Sequence, residues 1–387
     1  MTSVERLSGL LLGDLDQWRA LVPAETDALT EGAAREGVHL LLAWQLRQHP
    51  EERAACPPPV REALDAALLA EFATEHLRRD TLREVLSDLT AAGVEALVFK
   101  GSALAVSVYP DSAVRPRLDT DILIRPRDAV TAARVLTAHG FTAPVSITRE
   151  LVAGAPDADA IAGFKASSQI DFSLDDAFGI HHEIDLHWQA SIPQAFAAAL
   201  RHDALFAEAV PLPQLGTGAR GFGVPHALVM ACIHRVAHHH GHGRLIWLYD
   251  IHLLAERLTP PEVDRVLGIA VDGRVAAVVA AGLADAGACF HTAFPPDLLP
   301  RLSAAAAADP TAPVVAFLAP RLRKIDVLKA DWLALEGWPA RLSLLRDHLF
   351  PPASYVLSRY GATNRALLPV LYAWRACSRA AGWFRTS

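Results

Sequence analysis

Two aspartates stand two residues apart in RPRLDTDILIR, the stretch at residues 115–125. Successive side chains of a strand alternate between its faces, so Asp119 and Asp121 are expected on one face. Paired carboxylates repel each other and are costly to half-bury unless a cation lies between them. The pair therefore favours a Mg²⁺ site beside a phosphate. The alternative is an exposed edge strand whose polar residues face water.

A glycine and a serine stand just upstream, after the apolar segment VEALVF at residues 94–99, which is typical of a strand. Lys100, Gly101 and Ser102 separate this strand from an apolar helical run at residues 103–109. A glycine at such a turn lets the backbone approach a ligand closely, and a helix N-terminus favours phosphate oxygens. Taken alone, an ordinary tight turn explains these residues equally well.

A third acid lies in IHHEIDLHW, at residues 180–188. Glu183, Asp185 and His187 alternate with apolar residues, which predicts a half-buried strand with its polar face toward a cleft. Asp185 is the candidate third carboxylate of a two-metal site. Glu183 and His187 are either part of that site or solvated strand residues.

Histidines are concentrated in HRVAHHHGH at residues 234–242, where His234 and His238 would share a helix face. A zinc-protease motif would need a glutamate that is missing here, so a polar helix end facing the cleft is the preferred interpretation. The following segment, RLIWLYDIHLL, carries Tyr249 and Asp250 where a helix could line a nucleoside or acceptor pocket. Trp247 of the same segment could line this pocket too, and the alternative for its side chain is packing in the hydrophobic core.

Composition fits a compact, helix-rich chain of two or three domains, with 387 residues and 52% hydrophobic content. A formal net charge of -7 argues against broad binding to nucleic acid, which needs a basic surface. The four cysteines form no CxxC pair, and no run of about 18 apolar residues suggests a membrane span. We expect a reduced, cytoplasmic protein.

Hydrophobic periodicity divides the chain into three expected regions. Residues 1–90 read as helical, with a long helix at about 61–92; residues 91–200 alternate as a mixed sheet of four or five strands with packed helices; residues 201–387 read as a helical domain. Residues 169–174 and 180–188 are expected to form a hairpin, and residues 141–147 a further strand. The fold class is therefore α+β.

The last thirty residues are basic and aromatic, with five arginines and no acid. Such a segment can bind RNA, an anionic membrane surface or a partner protein. It can equally be a terminal helix that packs its aromatic side chains on the body of the protein.

Together, the G[GS] turn, the DxD strand and the later lone acid resemble the polymerase-β-type nucleotidyltransferase superfamily. The phrases FKGSAL, VYPDSAVRPRLDTDILI, EIDLHW and RLIWLYDIHLL are similar to the bacterial group known as nucleotidyltransferase family proteins, over about residues 94–257. The resemblance implies a polymerase-β-like catalytic core flanked by N-terminal helices and a C-terminal helical domain.

The implied reaction is transfer of a nucleoside monophosphate from an NTP, most simply ATP, to an unidentified acceptor, with release of pyrophosphate. Asp119, Asp121 and Asp185 would hold two Mg²⁺ or Mn²⁺ ions, and Asp185 or His187 would accept the acceptor's proton. The candidates for nucleotide binding are Lys100, Gly101, Ser102, Arg115, Arg117, Tyr249 and Asp250. Nucleic acid is not expected as a partner, whereas a partner protein is possible.

Two other functions remain open at this point. A carboxylate-rich cleft beside a histidine also suits metal-dependent hydrolysis of phosphate esters, with water as the acceptor. A non-catalytic binding or partner module that keeps the fold is the second alternative. The three acids favour an enzyme, while the acceptor and the base preference are not encoded in any motif of the sequence.

Overall fold

The structure is a computed structural model that describes residues 2–143, 169–237, 243–351, 353–362 and 364–380. Helices make up most of these residues. In chain order the α-helices are α1 Ser3–Leu11, α2 Leu15–Arg19, α3 Thr26–Arg35, α4 His39–Gln48, α5 Pro50–Ala55, α6 Pro58–Ala91, α7 Lys100–Ser107, α8 Ala129–Ala138, α9 His202–Ala207, α10 Val224–Ala237, α11 Leu245–Ala255, α12 Pro260–Asp272, α13 Ala276–Phe290, α14 Leu298–Ala308, α15 Lys324–Ala334, α16 Trp338–Leu349, α17 Ala353–Arg359 and α18 Leu368–Ala380.

One mixed six-stranded sheet lies among these helices. Its strands are β1 Ala96–Phe99, β2 Thr120–Ile124, β3 Gln169–Asp175, β4 His181–His187, β5 Val210–Pro211 and β6 Arg220–Gly221. Their order across the sheet is β3-β4-β2-β1-β6-β5. β2 runs parallel to β4 and antiparallel to β1, while β3 and β4 form an antiparallel pair.

Local sequence explains the hairpin of β3 and β4, which confirms the predicted pairing. Asp176 closes the turn, since its carboxylate accepts hydrogen bonds from the backbone N–H groups of Phe178 and Ile180 at 2.9 and 2.8 Å. Asx turns of this kind favour aspartate at the first turn position. Alternation then directs Ile184 and Leu186 into one core and the polar residues between them to the other face.

The sheet separates two hydrophobic cores. Val98, Ile122 and Ile184 face a core completed by the C-terminal part of α6 and by α8. The opposite face carries Leu97 and Leu123, and it packs on a larger core to which both the N-terminal helices and α10 to α15 contribute. The predicted mixed α+β architecture is therefore confirmed, and the acid-bearing face of the sheet looks toward the helical regions.

Several boundaries differ from those expected. The sheet continues beyond residue 200, because Arg220–Gly221 pairs in parallel with β1. The helix after β1 begins at Lys100, so the KGS residues form its first turn. Of the expected strand at residues 141–147, the described part forms only the bridge between Thr142 and Ser173, and residues 144–147 lie outside the described residues.

The long helix α6 matches the helix expected at about 61–92 and leads directly into β1. Among the described helices, none is long and apolar enough to cross a membrane.

Candidate active site

Strand register brings aspartates from three strands into one row. Asp121 on β2 pairs with Asp185 on β4, which in turn pairs with Asp171 on β3. Phe99, the last residue of β1, continues the row on the other side of Asp121. Residues paired across neighbouring strands point to the same face of a sheet, so the three carboxylates share one surface.

Asp121 is the buried centre of this surface. Its Oδ1 accepts from the Lys100 ammonium at 2.6 Å and lies 2.8 Å from Nε2 of His187. Burial alone would raise the pKa of Asp121, but Lys100 and His187 reverse this effect and hold that pKa well below its ordinary range. Burial also lowers the pKa of His187, an effect that the hydrogen bond and the charge of Asp121 oppose.

Asp185 has the opposite electrostatic environment. Burial, followed by the charges of Asp171, Asp121 and Asp119, holds the pKa of its carboxyl well above the ordinary range. Its Oδ2 accepts from the side-chain amide of Gln169 at 3.1 Å, whereas its buried Oδ1 has no hydrogen-bond partner. A buried carboxylate oxygen without a protein partner is free to bind a cation.

Asp119 and Glu183 extend the row of acids toward the solvent. Asp119 is exposed, and partial desolvation together with the charges of Asp121 and Glu183 raises the pKa of its carboxyl. The surface formed by Asp119, Asp121, Asp171, Glu183 and Asp185, which we call the acid face, thus carries five carboxylates beside the Lys100 ammonium. Such an excess of negative charge suits the binding of divalent cations.

A compact donor set for one cation exists within the acid face. Single ligand atoms of Asp121, Asp185 and His187 all lie within 4.8 Å of one another. Together with the unpartnered oxygen of Asp185, this oxygen-and-imidazole set fits a divalent ion such as Mn²⁺ or Mg²⁺. Asp119 has no atom in this group, although the sequence pattern placed it with Asp121 and Asp185.

The KGS turn lies directly beside the acids. Lys100 adopts a left-handed backbone conformation with φ of 51°, which is uncommon for a residue with a Cβ. The Ser102 hydroxyl donates to the backbone carbonyl of Asp119 at 3.1 Å and lies 3.2 Å from the Thr120 hydroxyl. These contacts tie the first turn of α7 to the DxD strand.

Gly101 is required by the approach of an arginine. A Cβ at this position would lie 2.3 Å from Nη1 of Arg115, closer than any side chain allows. Nε and Nη2 of Arg115 donate to both oxygens of Asp250 on α11, at 2.8 and 2.6 Å. Asp250 also accepts from the Tyr109 hydroxyl at 2.7 Å. Asp250 is therefore buried and fully paired, and it fixes Arg115 against the turn.

Arg117 is also paired away from the acid face. Its Nη1 lies 2.7 Å from Oε2 of Glu75, a residue of α6 that is only 2% exposed. Neither oxygen of Glu75 makes an aligned hydrogen bond, in contrast to the carboxylate of Asp250. Arg78, on the same helix, donates to the backbone carbonyl of Arg117 at 3.2 Å and so holds the loop from a second point.

Of the residues predicted to line the cleft from the helical half, His234 lies on α10 and Tyr249 on α11. Tyr249 is half-buried, with its ring 5.1 Å from that of Phe290. His234 packs edge-on against Trp247 at 5.4 Å between ring centroids, and His238 lies outside the described residues.

Two polar residues on the acid face were not among the sequence candidates. Asp171 follows Gln169 by two residues in QIDFSL, and the Gln169 amide donates to Asp171 at 2.8 Å as well as to Asp185. Asp171 lies in an alternating segment like the one that contains Glu183 and Asp185. It joins the acid face only because β3 pairs with β4.

A family model described as uncharacterised nucleotidyltransferase matches residues 23–291, more than two-thirds of the chain. The chain belongs to this nucleotidyltransferase family. The match covers the KGS turn, the DxD strand, the β3–β4 hairpin and α11, which are the elements that form the acid face and its supports. No curated protein matches the sequence.

Membership of the nucleotidyltransferase family gives the class of reaction, a nucleotidyl transfer. It confirms the resemblance carried by the sequence motifs. The residues after 291, which include α14 to α18, lie outside the matched region.

Proposed function

We propose that this nucleotidyltransferase transfers a nucleoside monophosphate from an NTP, with ATP as the first candidate, to an acceptor hydroxyl, and releases pyrophosphate. The observation that carries the proposal is the row of aspartates on three paired strands, which lies beside the first turn of α7. A carboxylate surface next to a helix N-terminus can bind a metal-chelated triphosphate, since one part takes the cation and the other the phosphate oxygens.

The residues that would hold the cations follow from the donor set. Asp121, Asp185 and His187 would bind one divalent ion, for which Mg²⁺ and Mn²⁺ are the candidates, and Asp119 would share a second ion with Asp121. When bound, such ions polarise the α-phosphate and offset charge on the entering and leaving oxygens.

The triphosphate would rest on the first turn of α7. The backbone N–H groups of the turn, that of Ser102 included, would bind phosphate oxygens, and the Lys100 ammonium would neutralise them. The Ser102 hydroxyl is buried and donates to Asp119, so it is given no phosphate role. Arg115 would add its Nη1, which Asp250 holds beside Gly101. Arg117 is given no phosphate role, because it is buried against Glu75.

Asp185 is the proposed general base. Its carboxylate lies next to Asp121 through the pairing of β2 with β4, on the face where the acceptor hydroxyl would meet the cation site. The oxygen of the acceptor hydroxyl would attack the α-phosphorus as its proton passes to Asp185. The bond between the α-phosphorus and the bridging oxygen would break, and that oxygen would leave with pyrophosphate.

The acceptor would enter from the side of the helical half. Tyr249 stays a candidate for contact with the acceptor or the base, through its ring and its hydroxyl. Asp250, by contrast, would act on the nucleotide only through Arg115, since both of its oxygens are bound.

The test is incubation of the full chain with each NTP and Mg²⁺ or Mn²⁺, followed by mass spectrometry of candidate acceptors and of the protein itself. We expect an adduct of one nucleoside monophosphate, with one pyrophosphate released per adduct, and its loss in Asp121→Asn. Asp203→Asn is the control, because that side chain is 87% exposed and away from the acid face.

Each other outcome counts against the transfer. Nucleoside monophosphate and pyrophosphate without an adduct would indicate that water is the acceptor and that the enzyme is a hydrolase. No turnover, together with no cation-dependent nucleotide binding, would indicate a binding module.

A further inference from the structure

Exposed apolar side chains are concentrated near the C-terminal end of the described chain. Of the eighteen large hydrophobic residues that are exposed in the described residues, seven lie between Trp338 and Trp374. Trp338, Val370 and Trp374 are the most exposed of the seven, at 66%, 66% and 63%. Scattered exposed apolar residues are normal, but a concentration of this kind marks an interaction surface.

The exposed residues follow helical spacing. On α16 they are Trp338, Leu342 and Leu349, which stand four and seven residues apart. Leu367 just before α18 and Val370 and Trp374 within it stand three and four residues apart. Residues at these spacings share one face of a helix, so each helix carries an exposed apolar stripe.

Packing between these helices uses other residues. The ring of Tyr372 on α18 lies 5.6 Å from that of Phe350, which follows α16, and its hydroxyl donates to the carbonyl of Pro351 at 2.6 Å. The stripes on α16 and α18, which we call the C-terminal patch, are thus left outside a packed helical unit.

Charge indicates what covers the patch. No aspartate or glutamate follows Asp347, whereas five arginines do, in a chain with a net charge of -7. Arg359 and Arg365 are exposed on the segment that joins the two stripes. An uninterrupted positive charge opposes the pairing of two such patches, and it attracts an anionic surface.

Leucine and valine beside tryptophan and arginine favour a lipid over a nucleic acid. Bases stack on aromatic rings and on guanidinium groups, while aliphatic side chains gain most from burial among acyl chains. Tryptophan is also enriched at the interface between lipid and water.

We propose that the C-terminal patch docks the protein peripherally on an anionic phospholipid membrane. The apolar stripes of α16 and α18 enter the interface, and Arg359 and Arg365 contact lipid phosphates. The patch lies beyond the residues matched by the family, so the surface adds a location to the transferase and not a catalytic group.

Vesicle co-sedimentation of the full chain tests the surface. We expect binding to phosphatidylcholine vesicles that contain about one-third phosphatidylglycerol, weak binding to pure phosphatidylcholine, and release at high salt. Val370→Ser combined with Trp374→Ser should reduce the bound fraction at least ten-fold, and Arg359→Gln or Arg365→Gln should each reduce it about five-fold. Leu69→Ser, at a residue of α6 that is 68% exposed, is the matched control and should bind like the wild type.

Three outcomes would overturn the assignment. One is equal binding to neutral and anionic vesicles, or binding that the Val370 and Trp374 changes leave intact. Another is a dimer in sedimentation equilibrium that depends on Trp374, which would make a second copy the occupant. The last is binding of single-stranded RNA through Trp374 in the absence of vesicle binding.

Discussion

The carboxylates that pair with the loop before β2 and those of the acid face have contrasting surroundings in this molecule. Two arginines of the loop before β2 are each paired with one buried carboxylate. Arg115 pairs with Asp250, and Arg117 pairs with Glu75. On the acid face, five carboxylates lie beside one lysine and one imidazole. The first setting neutralises charge within the protein, whereas the second leaves an excess of negative charge.

The contrast distinguishes carboxylates that hold elements of the fold together from carboxylates that are candidates for binding a ligand. An ion pair that fills the carboxylate's hydrogen bonds fixes two elements together, as Asp250 on α11 fixes Arg115 and the turn at Gly101. A carboxylate with raised pKa and an unpartnered buried oxygen, as in Asp185, is stabilised when a cation arrives. The arginine pairs therefore hold the DxD strand in place, and the acid face is the proposed ligand site.

The largest effect is expected for Asp250→Ala. Removal of the carboxylate leaves the buried Arg115 guanidinium unpaired, which costs about 3 to 5 kcal/mol of unfolding free energy. Urea unfolding measures this loss. The freed arginine also no longer supports the turn at Gly101, so the KM for the NTP should rise in whatever fraction stays folded.

The matched control is Glu75→Gln at the other arginine pair. Its carboxylate makes no aligned hydrogen bond, so we expect a loss of only about 2 kcal/mol in stability and unchanged NTP kinetics. Equal effects of the two substitutions on NTP kinetics would contradict the link from Asp250 to the turn.

A different signature is expected for Asp121→Asn. Transfer should fall at least about 100-fold, because a cation ligand is lost at the centre of the acid face. The thermal midpoint should also fall, because the largely buried Lys100 ammonium loses its partner, so transfer is compared at a temperature where both proteins are folded. Retention of more than a few per cent of activity would remove Asp121 from the catalytic group.

Asp331 provides a third setting, a buried acid whose aligned hydrogen bond comes from the backbone N–H of Ala195 at 3.0 Å. Burial raises the pKa of its carboxyl from 3.8 to about 6. The folded chain therefore takes up this proton at a higher pH than the unfolded chain does, and stability falls as pH rises between these two values.

We expect Asp331→Asn to exceed the wild type by about 1 to 3 kcal/mol above pH 7 and to match it near pH 4. Chemical unfolding at both pH values measures the difference. A stability gap that does not change with pH would contradict the role of this proton.

The smallest expected effect is a gain in stability from Asp185→Asn without divalent cations. Above about pH 8, where the carboxyl of Asp185 is ionised, loss of its charge relieves repulsion from Asp121 and Asp171 by about 1 kcal/mol. Added Mn²⁺ should raise the thermal midpoint of the wild type and not that of the variant. Stabilisation of both by Mn²⁺ would place the cation elsewhere.

Local pattern was sufficient for β1 to β4 and for part of the acid face, whereas the short strands β5 and β6 were missed. Alternation in residues 180–188 identified β4 and its polar face, and the DxD spacing identified Asp119 and Asp121, because both signals are contained within one strand. Asp171 was missed because its place beside Asp185 depends on the register of β3 against β4.

The roles of Arg115, Arg117 and Asp250 were beyond sequence reasoning for a related reason. Each meets a partner from a distant element: Arg115 and Asp250 are 135 residues apart, and Arg117 reaches back to α6. An arginine near a DxD motif suggests a residue that binds phosphate. Only the tertiary structure shows which carboxylate of the protein pairs with that arginine. Whether Arg115 also contacts a phosphate stays a prediction.

The central claim is that the acid face binds an NTP through divalent cations. Calorimetric titration of the full chain with a non-hydrolysable NTP analogue tests it most directly, with and without Mn²⁺, in the wild type, Asp121→Asn and Glu75→Gln. We expect Mn²⁺-dependent binding in the wild type and Glu75→Gln and at least a ten-fold weaker affinity in Asp121→Asn. Binding that needs no cation, or that Asp121→Asn leaves unchanged, would contradict the account.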